Sequence, residues 1–311
     1  MSTLLPSGPA AALPAPAAAA AARARQGTAL MVAGGLLLGT LGVFVEEGGQ
    51  DPLTTVWFRC AFGALALLLW GVLSGRCGEL RLRGRALGAA LAAGGLMVLN
   101  WALFFGAITR TSIGVATVVF HVQPLWVMAL GAWLLHEPVS RRQAAAGLLA
   151  LLGIVLATGL FDDGAALGAT SRTADYGWGL AMCLGGSLSY AGVTLIAQRA
   201  QAVGSFALAW WQCLVGTLLL AWWPMLHGWP SAGAAWAWLA GLGVVHTGLA
   251  YVLLYAGMAR LPTGRIAVLQ FVYPAAAVLI DWAVYGRALE PLQIAGVALM
   301  GLALASLRRS A

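Results

Sequence analysis

Stretches of about twenty apolar residues recur from one end of this chain to the other. The hydrocarbon core of a bilayer is about 30 Å thick and takes about 20 residues of helix to cross. Runs of that kind lie at 28–45, 53–73, 86–107, 111–135, 143–160, 177–201, 205–226, 234–258, 262–286 and 291–307. They predict an all-α membrane protein with ten transmembrane helices. Composition agrees: 61% of the 311 residues are hydrophobic and 9% are charged, where soluble domains average about one-quarter charged. That deficit of polar surface excludes a water-soluble enzyme.

The breaks between runs carry the residues that end helices. Examples are Gln50-Asp51-Pro52, Arg76 to Arg85, Glu137-Pro138 and Glu290-Pro291. Residues 1–27 are Ala- and Pro-rich with no apolar periodicity, and predict a disordered cytoplasmic tail. Residues 161–176 predict a linker, and 308–311 a second short tail. Cys60, Cys77, Cys183 and Cys213 show no paired spacing, so neither a disulfide framework nor a metal site is expected.

The formal charge of +7 comes entirely from 17 arginines; there is no lysine. With the N-terminus inside, twelve of them fall on the cytoplasmic side and Arg110, Arg172 and Arg287 outside, while Arg59 and Arg265 lie within runs. The positive-inside rule selects that orientation, with both termini cytoplasmic. The arginines are scattered over short loops, so the charge reports topology and not nucleic-acid binding.

The two halves also match. Phe120-His121-Val122-Gln123-Pro124 falls on Gln270-Phe271-Val272-Tyr273-Pro274 at an offset of 150, and Gln143 falls on Gln293. Earlier in the chain the offset is 153: Cys60 meets Cys213 and Gly63 meets Gly216. A near-constant offset over several runs signals duplication. Five runs per half is an odd number, so the second copy enters the membrane from the other side. The expected architecture is therefore two inverted five-helix repeats, 28–160 and 177–307, around a central cavity.

Ten such helices in two halves, with the tract Pro124…Gly131…His136-Glu137-Pro138…Gln143…Gly147, resemble the drug/metabolite transporter superfamily and its ten-helix EamA-type exporters. The second half offers Pro274…Tyr285-Gly286-Arg287…Gln293…Gly296. Here Arg287 stands where the first copy has Glu137. The resemblance implies a central cavity bounded by the first, third, fourth, sixth, eighth and ninth helices, with the fifth and tenth behind them. It implies a bacterial inner-membrane exporter of amino acids and other metabolites, acting as a monomer among membrane lipids and without a cofactor. The 14 tryptophans point to its aromatic amino-acid branch, with drugs or non-aromatic metabolites as the alternative.

Polar side chains at membrane depth are costly and mostly face the bundle interior. Those farthest from the run ends are Asn100, His121, Gln123, Tyr190, His246, Tyr251, Tyr255, Gln270 and Tyr273. With Trp101 and Phe104 they make the candidate substrate-binding set. Rings take up the apolar part of an amphipathic solute, and a few donors and acceptors orient its head. Each has a plainer reading: a neutral histidine bonded to a neighbouring helix, glutamines joining helices, a Trp101 facing lipid. Pro124 and Pro274 remove backbone donors in mid-helix, so each is a static kink or a gating hinge. Arg59 and Asp281 fall at similar shallow depth, where snorkelling to the interface is favoured over an ion pair. Arg265 is a candidate contact for an incoming substrate carboxylate. An intramembrane enzyme is disfavoured: His136-Glu137 starts like a zinc motif, but Ser140 occupies the place of its second histidine.

Overall fold

The computed structural model describes residues 15–108, 110–111, 113–157, 174–200, 202–286 and 289–306. Eight helices among them are long and apolar enough to cross a membrane. They are α1 (Ala18–Gly48), α2 (Pro52–Leu73), α3 (Gly84–Ile108), α4 (Val115–Leu134), then α6 (Asp175–Arg199), α7 (Ser205–His227), α8 (Ala235–Met258) and α9 (Thr263–Tyr285). Two shorter rods complete the order: α5 (Arg141–Ala157) and α10 (Pro291–Ser306).

Among the described residues eight helices thus meet the length of a span, against the ten expected. The described parts of α5 and α10 hold 17 and 16 residues, a rise of about 25 Å each. Both end where the described residues stop. The linker, apart from the start of α6, and Arg172, Arg287, Arg308 and Arg309 also lie outside the described residues. At the other end of the chain the first helix begins at Ala15, inside the stretch read as a disordered tail. Its alanines have the highest helix propensity of any residue. Arg23 donates to the Ala259 carbonyl and Arg260 to Gln26, so this extension is tied to the end of α8.

Small residues set the helix crossings. A methyl group on Gly35 would lie 2.9 Å from Val272, and one on Gly39 would meet Ala276; this brings α1 against α9. Gly34 and Gly257 bring α1 against α8 in the same way. α5 and α10 cross at Gly153 and Gly296, where an added Cβ on Gly153 would stand 2.7 Å from the Gly296 carbonyl oxygen. Without a hydrophobic force between helices in lipid, such close van der Waals approach holds them together. Leucines and tryptophans such as Leu148, Trp133 and Trp178 stay more than half exposed on the outside, as a lipid-facing surface requires.

The long helices are not continuous. α1 is interrupted at Thr40, α4 at His121-Val122, α7 at Leu220-Ala221 and α9 at Gln270-Phe271. In α4 and α9 the second segment starts at Gln123 and Val272, so Pro124 and Pro274 sit in its first turn. Proline is tolerated there because those N–H groups have no intrahelical partner. Leu242–Leu249 of α8 is wound as a π-helix.

A carboxylate locks one end of the bundle. His136 takes a left-handed φ of 53° after α4, and the Glu137 amide donates back to the Gly131 carbonyl. Glu137 then accepts from the Thr263 amide (2.9 Å) and hydroxyl (2.5 Å), from Gln198 (3.2 Å) and from Arg199 (3.0 Å). It therefore joins α4, α6 and the positive N-terminal end of α9. Partial burial pushes the Glu137 carboxyl upward, but the Thr263 hydroxyl and amide, Gln198 and Arg199 outweigh it, and it lies below the ordinary carboxylate value.

Two predictions follow from this packing. Gly153→Leu should lower stability in detergent by about 1–3 kcal/mol through overpacking, while Leu148→Ala on the lipid face leaves the thermal midpoint nearly unchanged. Glu137→Ala should cost on the order of 2 kcal/mol. Because the carboxylate value is depressed in the folded protein, its contribution is present above about pH 4 and lost as pH falls through the lowered value. Unfolding curves of Glu137→Gln should lack that acid-dependent loss.

Candidate functional site

Two interrupted helices face each other in mid-bundle. His121, at the break of α4, stacks on Tyr273, just past the break of α9, with ring centroids 6.2 Å apart. Next to them Phe104 of α3 packs on Phe120 of α4 at 4.9 Å, and Phe120 stacks on Tyr190 of α6 at 6.3 Å. These five rings come from four helices and retain partial exposure. His121 Nδ1 is 2.6 Å from the Thr117 carbonyl.

Both glutamines at the breaks reach the same hydroxyl. Gln123 and Gln270 each donate to Thr194 Oγ1 of α6, at 3.4 and 3.1 Å, and Thr194 donates to its own Tyr190 carbonyl. Gln123 is buried and Gln270 half-buried. The Gln270 carbonyl oxygen and that of Asn100 are enclosed without a partner, and Asn100 donates only a weak bond to the Met97 sulfur. Thr194 went unnoticed in the sequence because a threonine in a helix normally bonds its own backbone.

Other candidates are sealed. His246 is fully buried, its Nε2 lying 2.7 Å from Thr40 Oγ1 at the break of α1 and its ring against Phe44. Tyr255 is 1% exposed and donates to Gln212. Tyr251 is 5% exposed and packs on Tyr255. These groups join α1, α7 and α8. Ser187, at the start of the same α6 face, accepts from Trp126.

Arg59 departs most from its sequence reading. Its side chain neither snorkels nor pairs with Asp281; it is 6% exposed. Arg59 sits about 5 Å along the axis from the middle of α2. Its Nε donates to Thr247 Oγ1 at 2.9 Å, and its guanidinium carbon lies 4.9 Å from the centre of the Trp101 ring. Trp101 is itself buried and does not face lipid. The contact exists because α2 and α8 touch at Gly63 and Gly243, where an added Cβ would strike the facing backbone, and because the π segment turns Thr247 toward α2. Thr247 also donates to the Leu242 carbonyl, five residues back. Among the described residues no carboxylate pairs with Arg59. A charge at mid-membrane costs about 3 kcal/mol or more, so such a group is a functional signal. Helix periodicity alone does not reveal it, since the face that Arg59 occupies depends on how α2 is rotated.

Two cavities lie off the rings. One, of 270 Å³, is polar and is bounded by Arg23, Glu137, Gln198 and Arg199. The other, of 860 Å³, lies between α1, α9 and α10 and is largely apolar, with Arg25 and Arg265 in its wall. Arg265 therefore belongs to that groove. No group of His, Cys, Asp and Glu able to hold a metal occurs among the described residues.

Comparison with known proteins gives a consistent answer. An uncharacterized transporter of Bacillus subtilis (strain 168) is 26% identical over 90% of this chain and 89% of its own length. An uncharacterized transporter of Archaeoglobus fulgidus is 28% identical over 89% of this chain and 94% of its own. A crystal structure that shares 20% identity superposes with a TM-score of 0.81, covering 92% of this chain and 97% of the other, which shows a common fold. The pattern of the EamA-like transporter family matches twice, at residues 25–159 and 177–308. With nearly all of its length accounted for in this way, the chain belongs to the EamA-like transporter family.

Proposed function

We propose that this membrane protein is a secondary transporter that exports a broad set of small amphipathic metabolites by alternating access. The observation that carries the reading is the meeting of two helices, each broken just before a proline and 150 residues apart in the chain. Discontinuous helices at a repeat interface are where transporters bind their cargo. In this reading α5 and α10 are the fifth and tenth spans. Residues 28–160 and 177–307 are inverted copies, and both termini lie in the cytoplasm of a cell whose plasma membrane holds the protein. The double family match and the arginine distribution support that arrangement.

The ring ladder of Phe104, Phe120, His121, Tyr190 and Tyr273 forms one wall of the binding space. Pro124 and Pro274 mark the bends at which half-helices move, and the Glu137 junction closes the arginine-rich end. Aromatic amino acids are a subset that this wall suits. The sealed His246 and Tyr255 hold α8 in place beside it.

Purified protein in liposomes should show saturable uptake and counterflow of amphipathic solutes, tryptophan and phenylalanine included. Tyr273→Ala and His121→Ala should each lower the rate by about tenfold, equivalent to about 1.4 kcal/mol, with unchanged elution on size exclusion. Flux that does not saturate would identify a channel, and normal flux in both variants would remove the ring wall from the site.

A further inference from the structure

Arg59 is a permanent cation without a matching anion. A guanidinium keeps its proton at any pH a cell reaches, so burial cannot neutralise it. Its described compensation is one hydroxyl, Thr247 at 2.9 Å, and the face of Trp101 at 4.9 Å. Both are neutral. Three helices contribute to this surrounding: α2 with Arg59, α3 with Trp101 and α8 with Thr247. None of the three ion pairs among the described residues includes Arg59; they lie at the helix ends. A ring-rich wall with one fixed positive charge has the chemistry of a receptor for an organic anion. The fork of a guanidinium matches a carboxylate in two parallel hydrogen bonds.

We infer that Arg59 is the anchor for a carboxylate borne on an aromatic or apolar body, which makes organic carboxylates the substrate class of this transporter. This rests on the transport reading above and narrows it. A solute that carries an amine and no carboxylate is excluded, because it would place a second cation beside Arg59 in a medium of low dielectric constant. A neutral solute of the same shape loses the charge-assisted bonds and keeps only the ring contacts.

Equilibrium binding to detergent-solubilised protein separates these classes with three probes of similar size: phenylacetate, phenethylamine and benzyl alcohol. Phenylacetate should bind at least about tenfold more tightly than either of the others. Arg59→Gln should weaken phenylacetate by about tenfold or more and leave benzyl alcohol within about threefold; Arg59→Lys should retain part of the preference. Should Arg59→Gln fail to fold, the order of the three probes on the unaltered protein still decides. Failure of phenylacetate to bind, a preference for the amine or the alcohol, or unchanged phenylacetate affinity in folded Arg59→Gln overturns the inference. Chloride that displaces labelled phenylacetate as well as unlabelled phenylacetate does would assign Arg59 to an inorganic ion, and overturns it too. Liposome flux distinguishes the two readings: phenylacetate bound but not carried removes transport and keeps the anion site, whereas saturable flux of amines or alcohols alone keeps transport and removes it.

Discussion

Hydrocarbon offers a peptide group nothing to bond with, so every interruption of a spanning helix must be answered by protein or by enclosed water. This constraint orders the whole structure. The breaks in α4 and α9 occur where the two helices face one another and where α6 supplies a hydroxyl. The break in α1 falls where Thr40 meets His246. At these three breaks the irregular backbone has a protein neighbour, and in that region a solute passage can be built without exposing polar groups to lipid.

Close approach is the second requirement, and glycine supplies it. The crossings of α1 with α8 and α9, of α2 with α8, and of α5 with α10 all run through glycines whose missing side chains admit the neighbouring helix. The gain at each crossing is dispersion energy summed over many atom pairs. The polar links concentrate elsewhere. Glu137 fastens three helices at one end, while Asp51 caps α2 and accepts from Trp223 near the other. Between these fastened ends the described side-chain bonds of α4 and α9 are few and converge on α6.

Apolar length and helix-ending residues made most spans legible in the sequence, usually to within a few residues of the observed ends. Proline placement announced the breaks in α4 and α9, and polar side chains far from the run ends pointed to His121, Gln123, Gln270 and Tyr273. What escaped notice depends on rotation and contact. A helix pattern gives the spacing of Arg59 but not the face it shows; that is set by Gly63 against Gly243. The roles of Thr194 and Glu137 exist only once distant segments meet. Trp101 and His246 are inside, but their exposures separate them from the open rings, a difference that residue type does not encode. The fifth and tenth runs, 143–160 and 291–307, coincide with the described helices Arg141–Ala157 and Pro291–Ser306 to within three residues.

The π segment of α8 changes what kinds of sequence variation this helix can absorb. Its wider turn takes up one more residue than an α-turn, so Leu239 before it and Tyr251 and Tyr255 after it all remain inside. Each residue of an α-helix advances by about 100°. Loss of a single codon between 242 and 249 would return the coil to an α-helix and leave Tyr251 and Tyr255 on the same side, whereas a residue added there would swing them by about 100°. A one-residue deletion would thus spare the downstream half of α8 and be felt locally, at the bond between Thr247 and Arg59, so this stretch tolerates shortening by one residue better than lengthening.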